Sequence, residues 1–194
     1  MLTLLWSIYI AAMISWLFPP FKQYKTDYFY YFLCLALSDP ISAIIPYLKG
    51  YIWQGHVVFS SILILTLLKE KTLKKFSPLI LIIFTALFYL ILKVQHPVLQ
   101  NIVVFNVVII TIMIAKRFVI SVRETESLNL FYMVVVLYNF STIMKILFRV
   151  NHGSTGYLYF FLTNFFQIFI AIYFSFYNVN NAKKIKLFRG GEVI

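Results

Sequence analysis

Asp39 is the residue in this chain whose type and position most clearly indicate chemistry. It follows Ser38 and precedes Pro40 in the middle of an apolar segment, and the other acidic residues lie outside the interiors of such segments. A carboxylate inside a bilayer costs about 2.5–3.5 kcal/mol on insertion scales, so we expect it to face other helices or a wet cavity. Asp39 is therefore the first candidate for a functional residue.

Amide, hydroxyl and amine side chains lie inside several other apolar segments. Thr142 and Lys145 share a face of one predicted helix, and Asn164 and Gln167 share a face of the last one. An Asp39–Lys145 ion pair would require the two helices to be neighbours. The alternative to a functional role is that these side chains hold helices together, at about 0.6 kcal/mol each. The predicted ligand or ion pathway consists of Asp39, Asn106, Asn139, Thr142, Lys145, Asn164 and Gln167.

The three histidines fall in connections predicted on the outer side of the membrane. Three imidazoles can bind zinc, but their spacing follows no known ligand pattern and those connections contain no carboxylate to orient the rings. We therefore expect no metal and no other cofactor. We interpret this region as a wet outer rim or a partner contact, formed by Gln54, His56, His96, Asn151 and His152.

Ser38 and Ser42 stand beside Asp39 and are candidate nucleophiles. A Ser-His-Asp hydrolase needs a histidine within hydrogen-bond reach of the serine. No histidine lies on the same predicted helix, so one would have to reach in from the outer rim. An intramembrane hydrolase is therefore the second alternative for the function, and a protein that is not an enzyme is favoured.

The elements that position these side chains are membrane-spanning helices. Hydrophobic residues make up 62% of the chain and charged residues 12%, whereas a soluble domain has about 45–50% and about 25%. The predicted fold class is all-α: a polytopic integral membrane helix bundle with seven transmembrane helices, or six as the alternative. Within a single transmembrane domain, 1–194, the predicted spans are about 2–18, 28–48, 51–68, 76–92, 97–115, 127–148 and 157–178, followed by a short basic cytoplasmic tail, 179–194.

Whether residues 51–68 cross the membrane decides between seven spans and six. Their uninterrupted apolar part, 57–68, is shorter than the about 20 residues that a transmembrane helix needs. Including residues 51–53 and tolerating Gln54 and His56 gives a length that can cross. We favour seven spans because of this apolarity.

The net charge of +11 indicates orientation rather than nucleic-acid binding. With seven spans, 13 of the 17 lysines and arginines fall on one side, and with six spans 12 do. The positive-inside rule places that side, and with it the carboxyl terminus, in the cytoplasm. The amino terminus is then outside in the seven-span model, whereas both termini are cytoplasmic in the six-span model. The expected location is the cytoplasmic (inner) membrane. No basic stripe is interleaved with aromatic residues, so no nucleic acid is expected. Anionic lipid headgroups on the cytoplasmic side, or a partner, are expected to contact Lys183, Lys184, Lys186 and Arg189.

The leading hypothesis is a non-enzymatic membrane-embedded subunit or partner-binding component of a larger complex. The predicted spans leave no room for a folded domain outside the bilayer, so the expected partners are the lipid bilayer and other membrane proteins. The alternative is a small-solute transporter, or a seven-helix ligand sensor, that uses a polar intramembrane cavity around Asp39.

Overall fold

The chain is built almost entirely of helices. The computed structural model describes residues 2–48, 52–68, 93, 96–150 and 154–186. Within these residues the α-helices are α1 (Leu2–Trp16), α2 (Pro19–Gln23), α3 (Phe29–Ile44), α4 (Ile52–Thr66), α5 (His96–Thr125), α6 (Leu130–Val150) and α7 (Ser154–Phe176). A 3-10 helix, Ile45–Leu48, extends α3, and two short strands, β1 (Ser127–Asn129) and β2 (Lys184–Lys186), pair with each other. The predicted all-α class is confirmed, whereas the predicted fourth span, 76–92, lies outside the described residues.

The described helices have the length and surface of a membrane protein. The segments Pro97–Thr125, Leu130–Leu147 and Leu158–Phe176 are long and apolar enough to cross a bilayer, and α3 and α4 are apolar but shorter. Large apolar side chains cover the outer faces of these helices, among them Phe105 on α5 and Phe169 on α7. Apolar surface of this extent is rare on soluble monomers, so we expect it to face lipid or a partner.

Helix α5 is longer than the span predicted in this region. Its 30 residues run through Lys116, Arg117 and Arg123, which the sequence pattern placed in a connection. Pro97 lies in its first turn, where proline is tolerated, and neither glycine nor proline follows within the helix. Glu126 ends the helix with a φ of 49°, the left-handed conformation that is common after a helix. The basic residues therefore lie on a continuous extension of α5 beyond its apolar part.

The strands β1 and β2 attach the predicted basic tail to the bundle. They are antiparallel, and Ser127 lies opposite Lys186. The Asn129 side chain fixes the α5–α6 corner, which is the turn of the chain through β1. Its Nδ2 donates to the carbonyl oxygen of Val179 at 3.1 Å, and its Oδ1 accepts from the backbone nitrogen of Phe131 at 3.0 Å. The helix of the predicted sixth span therefore begins after Asn129, and part of the tail is a strand.

The helices contact one another in a closed ring in the order α3, α4, α5, α6, α7 and α1, and α1 returns to α3. The short helix α2 bridges α3 and α7. Its buried Gln23 donates through Nε2 to the carbonyl oxygens of Phe174 at 3.2 Å and Tyr177 at 2.9 Å. Because the last carbonyls of a helix have no partner within it, Gln23 caps the end of α7.

Two clusters of buried apolar side chains lie toward opposite ends of the helix bundle. The first includes Leu63 from the last turn of α4, and the second includes Trp53 from its first turn. We call the aromatic centre of the first cluster the aromatic core; it consists of Trp16, Phe32, Phe131 and Phe174. The second cluster consists of Trp53, Val57, Leu99, Val103, Val107 and Ile146.

Helices α4 and α5 run in the same direction. Asn106 on α5 contacts Ser60 on α4, and further along both helices Arg117 donates from Nη2 to the carbonyl oxygen of Leu67. The second apolar cluster supports this parallel direction, because it joins the start of α4 to the start of α5. Both helices therefore begin at the same end of the bundle.

Candidate functional site

Polar side chains on neighbouring helices contact one another inside the bundle, and we call this set the polar belt. Buried polar groups in apolar surroundings require hydrogen-bond partners, and in this belt the helices supply them to each other. All seven residues of the predicted pathway belong to it. Its members are Tyr31, Asp39, His56, Ser60, Ser61, Asn106, Tyr138, Asn139, Thr142, Lys145, Asn164 and Gln167.

The two polar stripes predicted on the last helices face each other across the α6–α7 contact. Lys145 donates from Nζ to Oδ1 of Asn164 at 2.7 Å and to Oε1 of Gln167 at 3.3 Å. Gln167 in turn donates from Nε2 to Oγ1 of Thr142 at 3.3 Å. Position 142 therefore meets 167, and position 145 meets 164, as antiparallel neighbours do.

Two aromatic rings cover the ammonium group of Lys145. Its Nζ lies 5.1 Å from the ring centroid of Phe160 and 5.8 Å from that of Tyr9. Cation–π attraction of this kind contributes about 0.5–2 kcal/mol, depending on how far the cation is removed from water. Since Tyr9 belongs to α1, Lys145 connects three helices.

The ion-pair partner of Asp39 in the described part of the chain is His56 rather than Lys145. Asp39 Oδ1 lies 4.0 Å from His56 Nδ1 across the α3–α4 contact, with the two side chains 33% and 21% exposed. This distance exceeds a hydrogen bond, and the pair carries opposite charges only when the imidazole is protonated. Tyr138 on α6 is close enough to Asp39 for an electrostatic interaction. The pattern that placed His56 on the outer rim therefore missed its position beside Asp39.

A hydrolase was disfavoured because no histidine lies on the same predicted helix as Ser38, Ser42 and Asp39. In the structure, α4 brings His56 to Asp39, so this argument no longer applies. Ser42 nevertheless makes a poor nucleophile. It is fully buried between α3 and α4, and its Oγ has no hydrogen-bond partner among the described residues. It packs against Gly55, where a Cβ atom would come within 2.5 Å of that Oγ. A serine closed off in this way is out of reach of a substrate, and the other candidate, Ser38, donates its hydroxyl to the carbonyl oxygen of Leu35 at 3.0 Å within its own helix.

Asn106 joins α5 to α4. Its Nδ2 donates to the hydroxyl oxygens of Ser60 and Ser61, both at 3.0 Å. Each hydroxyl donates in turn to the carbonyl oxygen of Val57, at 3.1 and 2.8 Å. Both amide hydrogens of Asn106 are therefore used, and the contact is an interhelical bond within the protein.

Asn139 makes a comparable contact between α6 and α3. Its Nδ2 donates to the carbonyl oxygen of Val135 at 2.8 Å and to the Tyr31 hydroxyl at 3.3 Å. The same hydroxyl lies 3.4 Å from Oδ1 of Asn139. Because Tyr31 and Asn139 are both buried, each satisfies the other without water.

Replacing Asn106 by leucine tests the interhelical bond. We expect the free energy of unfolding in mixed micelles to fall by about 0.6–1.7 kcal/mol, the range of such contacts in membrane proteins. A double-mutant cycle with Ser60→Ala and Ser61→Ala should recover a coupling of the same sign. Asn101→Leu, on the exposed side of the same helix, is the matched control and should change stability little. A coupling of zero would contradict the contact.

The remaining predicted site residues are only partly described. Gln54 is half-buried on α4 near His56, while Lys183, Lys184 and Lys186 are exposed. The side chains of His96, Asn151, His152 and Arg189 lie outside the described residues, so the predicted outer rim stays a prediction. Where the structure describes side chains, no three histidine, cysteine, aspartate or glutamate residues come together as metal ligands.

Several residues that complete the polar belt were not singled out from the sequence. Tyr31 is one of 14 tyrosines, and no local pattern distinguishes it from the others. Tyr9, whose ring lies over the Lys145 ammonium group next to the belt, was hidden in the same way. Ser60 and Ser61 did carry a signal, because two adjacent hydroxyls interrupt an otherwise apolar run.

No protein-family model, curated protein sequence or solved structure matches this chain. The functional proposals below therefore rest on the geometry of the bundle.

Proposed function

We propose that the chain crosses the cytoplasmic (inner) membrane seven times, with its amino terminus outside and its carboxyl terminus in the cytoplasm. Helix α4 supports a crossing third span, because it supplies Trp53 to one apolar cluster and Leu63 to the other. The parallel course of α4 and α5 supports a fourth span between them. Residues 69–95 are about 27 in number, enough for a helix of about 20 residues that crosses about 30 Å of hydrocarbon.

Within this topology, we propose that the protein is a non-enzymatic membrane component that acts by binding another membrane protein. The polar belt supports this function, since its amides and its lysine are engaged with other helices of the same chain. Side chains engaged in this way hold the bundle together, which leaves the outer faces of the helices for recognition.

The observation that carries the proposal is an outward-facing pocket between α6 and α7. Its volume is about 270 Å³, and it is lined by Phe140, Ser141, Met144, Tyr159, Leu162, Thr163 and Phe166. The hydroxyls of Ser141 and Thr163 donate to carbonyl oxygens of their own helices, so the pocket offers a mainly apolar surface. A pocket of this kind can take an apolar anchor side chain from a partner helix, and such anchors dominate protein–protein binding.

The test is purification in a gentle detergent with quantitative mass spectrometry of the co-purifying proteins. Ser141→Leu fills the pocket and Phe166→Ala removes one wall, so each should reduce the yield of a stoichiometric partner at least about fivefold. Thr111→Leu replaces a hydroxyl side chain by leucine on α5, Phe105→Ala makes the same change there as Phe166→Ala on α7, and both should leave the yield unchanged. The hydroxyl of Thr111 donates to its own helix in the same way as that of Ser141.

A monodisperse wild-type protein that purifies without any stoichiometric partner would contradict this function. Equal loss of the partner with the α5 controls would contradict the position of the binding surface.

The Asp39–His56 pair favours a second function, a small-solute transporter or a ligand sensor. The carboxylate lies beside Pro40, which interrupts the hydrogen bonds of α3, and it remains one-third exposed inside the bundle. This function predicts that Asp39→Asn abolishes uptake or ligand response without lowering expression, and that His56→Gln has a smaller effect in the same direction. Unchanged uptake or response in Asp39→Asn would exclude it.

A further inference from the structure

A larger groove lies on the outside of the bundle, where α1, α2 and α7 meet. Its volume is about 1000 Å³. The lining residues are Ala11, Ile14, Ser15, Phe18, Phe21, Lys22, Ile172, Ser175 and Phe176. This groove is separate from the pocket between α6 and α7 and from the polar belt.

The groove combines an apolar interior with one charged group. The hydroxyls of Ser15 and Ser175 donate to the carbonyl oxygens of Ala12 and Ala171, at 2.7 and 2.8 Å, and so are satisfied within their own helices. Lys22 is exposed and is the charged residue of the lining. An elongated apolar molecule with an anionic end matches this arrangement.

The groove opens at the strongly basic end of the bundle. Helix α2 contacts the end of α7, and Asn178 donates from Nδ2 to the carbonyl oxygen of Lys22 at 3.5 Å. The aromatic core, the α5–α6 corner and β2 lie at the same end. The basic residues described there are Lys22, Lys25, Lys116, Arg117, Arg123, Lys183, Lys184 and Lys186, against the acidic residues Asp27, Glu124 and Glu126. Near a membrane surface each basic residue attracts anionic lipid by about 1 kcal/mol.

We propose that this groove binds one anionic phospholipid from the leaflet at the basic end of the bundle. An acyl chain occupies the apolar lining, and the ammonium group of Lys22 contacts the lipid phosphate. Phe18 and Phe21 are exposed where they line the groove and add to its apolar surface. The proposal goes beyond the proposed partner-binding function and does not depend on it.

Native mass spectrometry of the purified protein in detergent tests the proposal, with phosphatidylglycerol and phosphatidylcholine added at matched concentrations. The wild type should retain one phosphatidylglycerol per chain in preference to phosphatidylcholine. Ser15→Leu fills the groove and should reduce retention of both lipids at least about fivefold, and Ser175→Leu provides a second test from α7. Lys22→Gln should reduce retention of phosphatidylglycerol by about fivefold, the equivalent of about 1 kcal/mol. Its effect on phosphatidylcholine should be smaller, because the choline ammonium already offsets the charge of that lipid's phosphate.

Lys25→Gln removes the same charge from an exposed position outside the lining, and its lipid retention should stay within about twofold of the wild type. Equal retention of both lipids by the wild type, or no effect of the three groove variants, would overturn the proposal. A dimer that is dissociated by Ser15→Leu and is insensitive to lipid would overturn it in favour of a second copy of the chain in the groove.

Discussion

Replacing Phe174 by alanine is expected to lower the free energy of unfolding by about 3 kcal/mol, at the lower end of the range for a buried phenylalanine. The ring is 1% exposed, and its centroid lies 4.7 Å from that of Phe32 and 5.3 Å from that of Phe131. Aromatic pairs at such separations add specific stabilisation to packing. The lower end of the range applies because the unfolded chain also keeps its apolar side chains in lipid, so the loss is mainly one of packing.

Unfolding with sodium dodecyl sulfate in mixed micelles measures this change, and the fluorescence of Trp16 reports on the aromatic core because its ring lies 6.4 Å from Phe174. Phe169→Ala is the matched control on the same helix. Phe169 is 55% exposed, so its loss should cost less than about 0.5 kcal/mol. Similar losses for both variants would mean that the faces of α7 are assigned incorrectly.

Replacing Gly55 by leucine is expected to cost about 3 kcal/mol, at the upper end of the usual range for overpacking. A Cβ atom at this position would lie 2.5 Å from Ser42 Oγ, 2.6 Å from Ile45 Cδ1 and 3.0 Å from Ser42 Cα. The first two atoms can move, but the third belongs to the backbone of α3. A larger side chain therefore has to push α3 and α4 apart, and Asp39 and His56 would separate with them.

A graded series measured in the same micelles separates this steric effect from helix propensity. Gly55→Ala should cost less than leucine, because alanine gains about 1 kcal/mol of helix propensity over glycine. Combining Gly55→Ala with Ser42→Ala removes the 2.5 Å contact and should recover part of the stability. A Gly55→Leu protein as stable as the wild type would contradict the close approach of α3 and α4.

The polar stripes on consecutive helices were within reach of the sequence, but the register that joins them was not. Helical periodicity identified both stripes, and a short turn makes the two helices antiparallel neighbours. Thr142 lies three residues before Lys145, and Gln167 lies three residues after Asn164, so the two contacts share one register. Lys145 is five residues before the last residue of α6, whereas Asn164 is ten residues after the first residue of α7. This offset depends on how the helices pack, and the sequence of the turn does not give it.

Other features could not be predicted because they depend on contacts that are distant in the sequence. The pairing of Ser127 with Lys186 joins residues that are separated in the sequence by α6 and α7. Neither of the three-residue strands has a sequence pattern that predicts it. The capping of α7 by Gln23 likewise depends on the packing of α2. The extension of α5 was missed for a different reason: its basic residues were interpreted as a loop, although they contain no helix breaker.

The seven-span topology is the central claim, because the orientation of every proposed surface follows from it. Single cysteines introduced by Lys49→Cys, Lys71→Cys and Lys93→Cys, in a Cys34→Ser background, can be labelled with a membrane-impermeant maleimide in intact and in permeabilised spheroplasts. We expect the cysteines at positions 49 and 93 to react in intact spheroplasts and the cysteine at position 71 to react only after permeabilisation. Labelling of positions 49 and 71 from the same side would show that α4 does not cross, and would contradict this account.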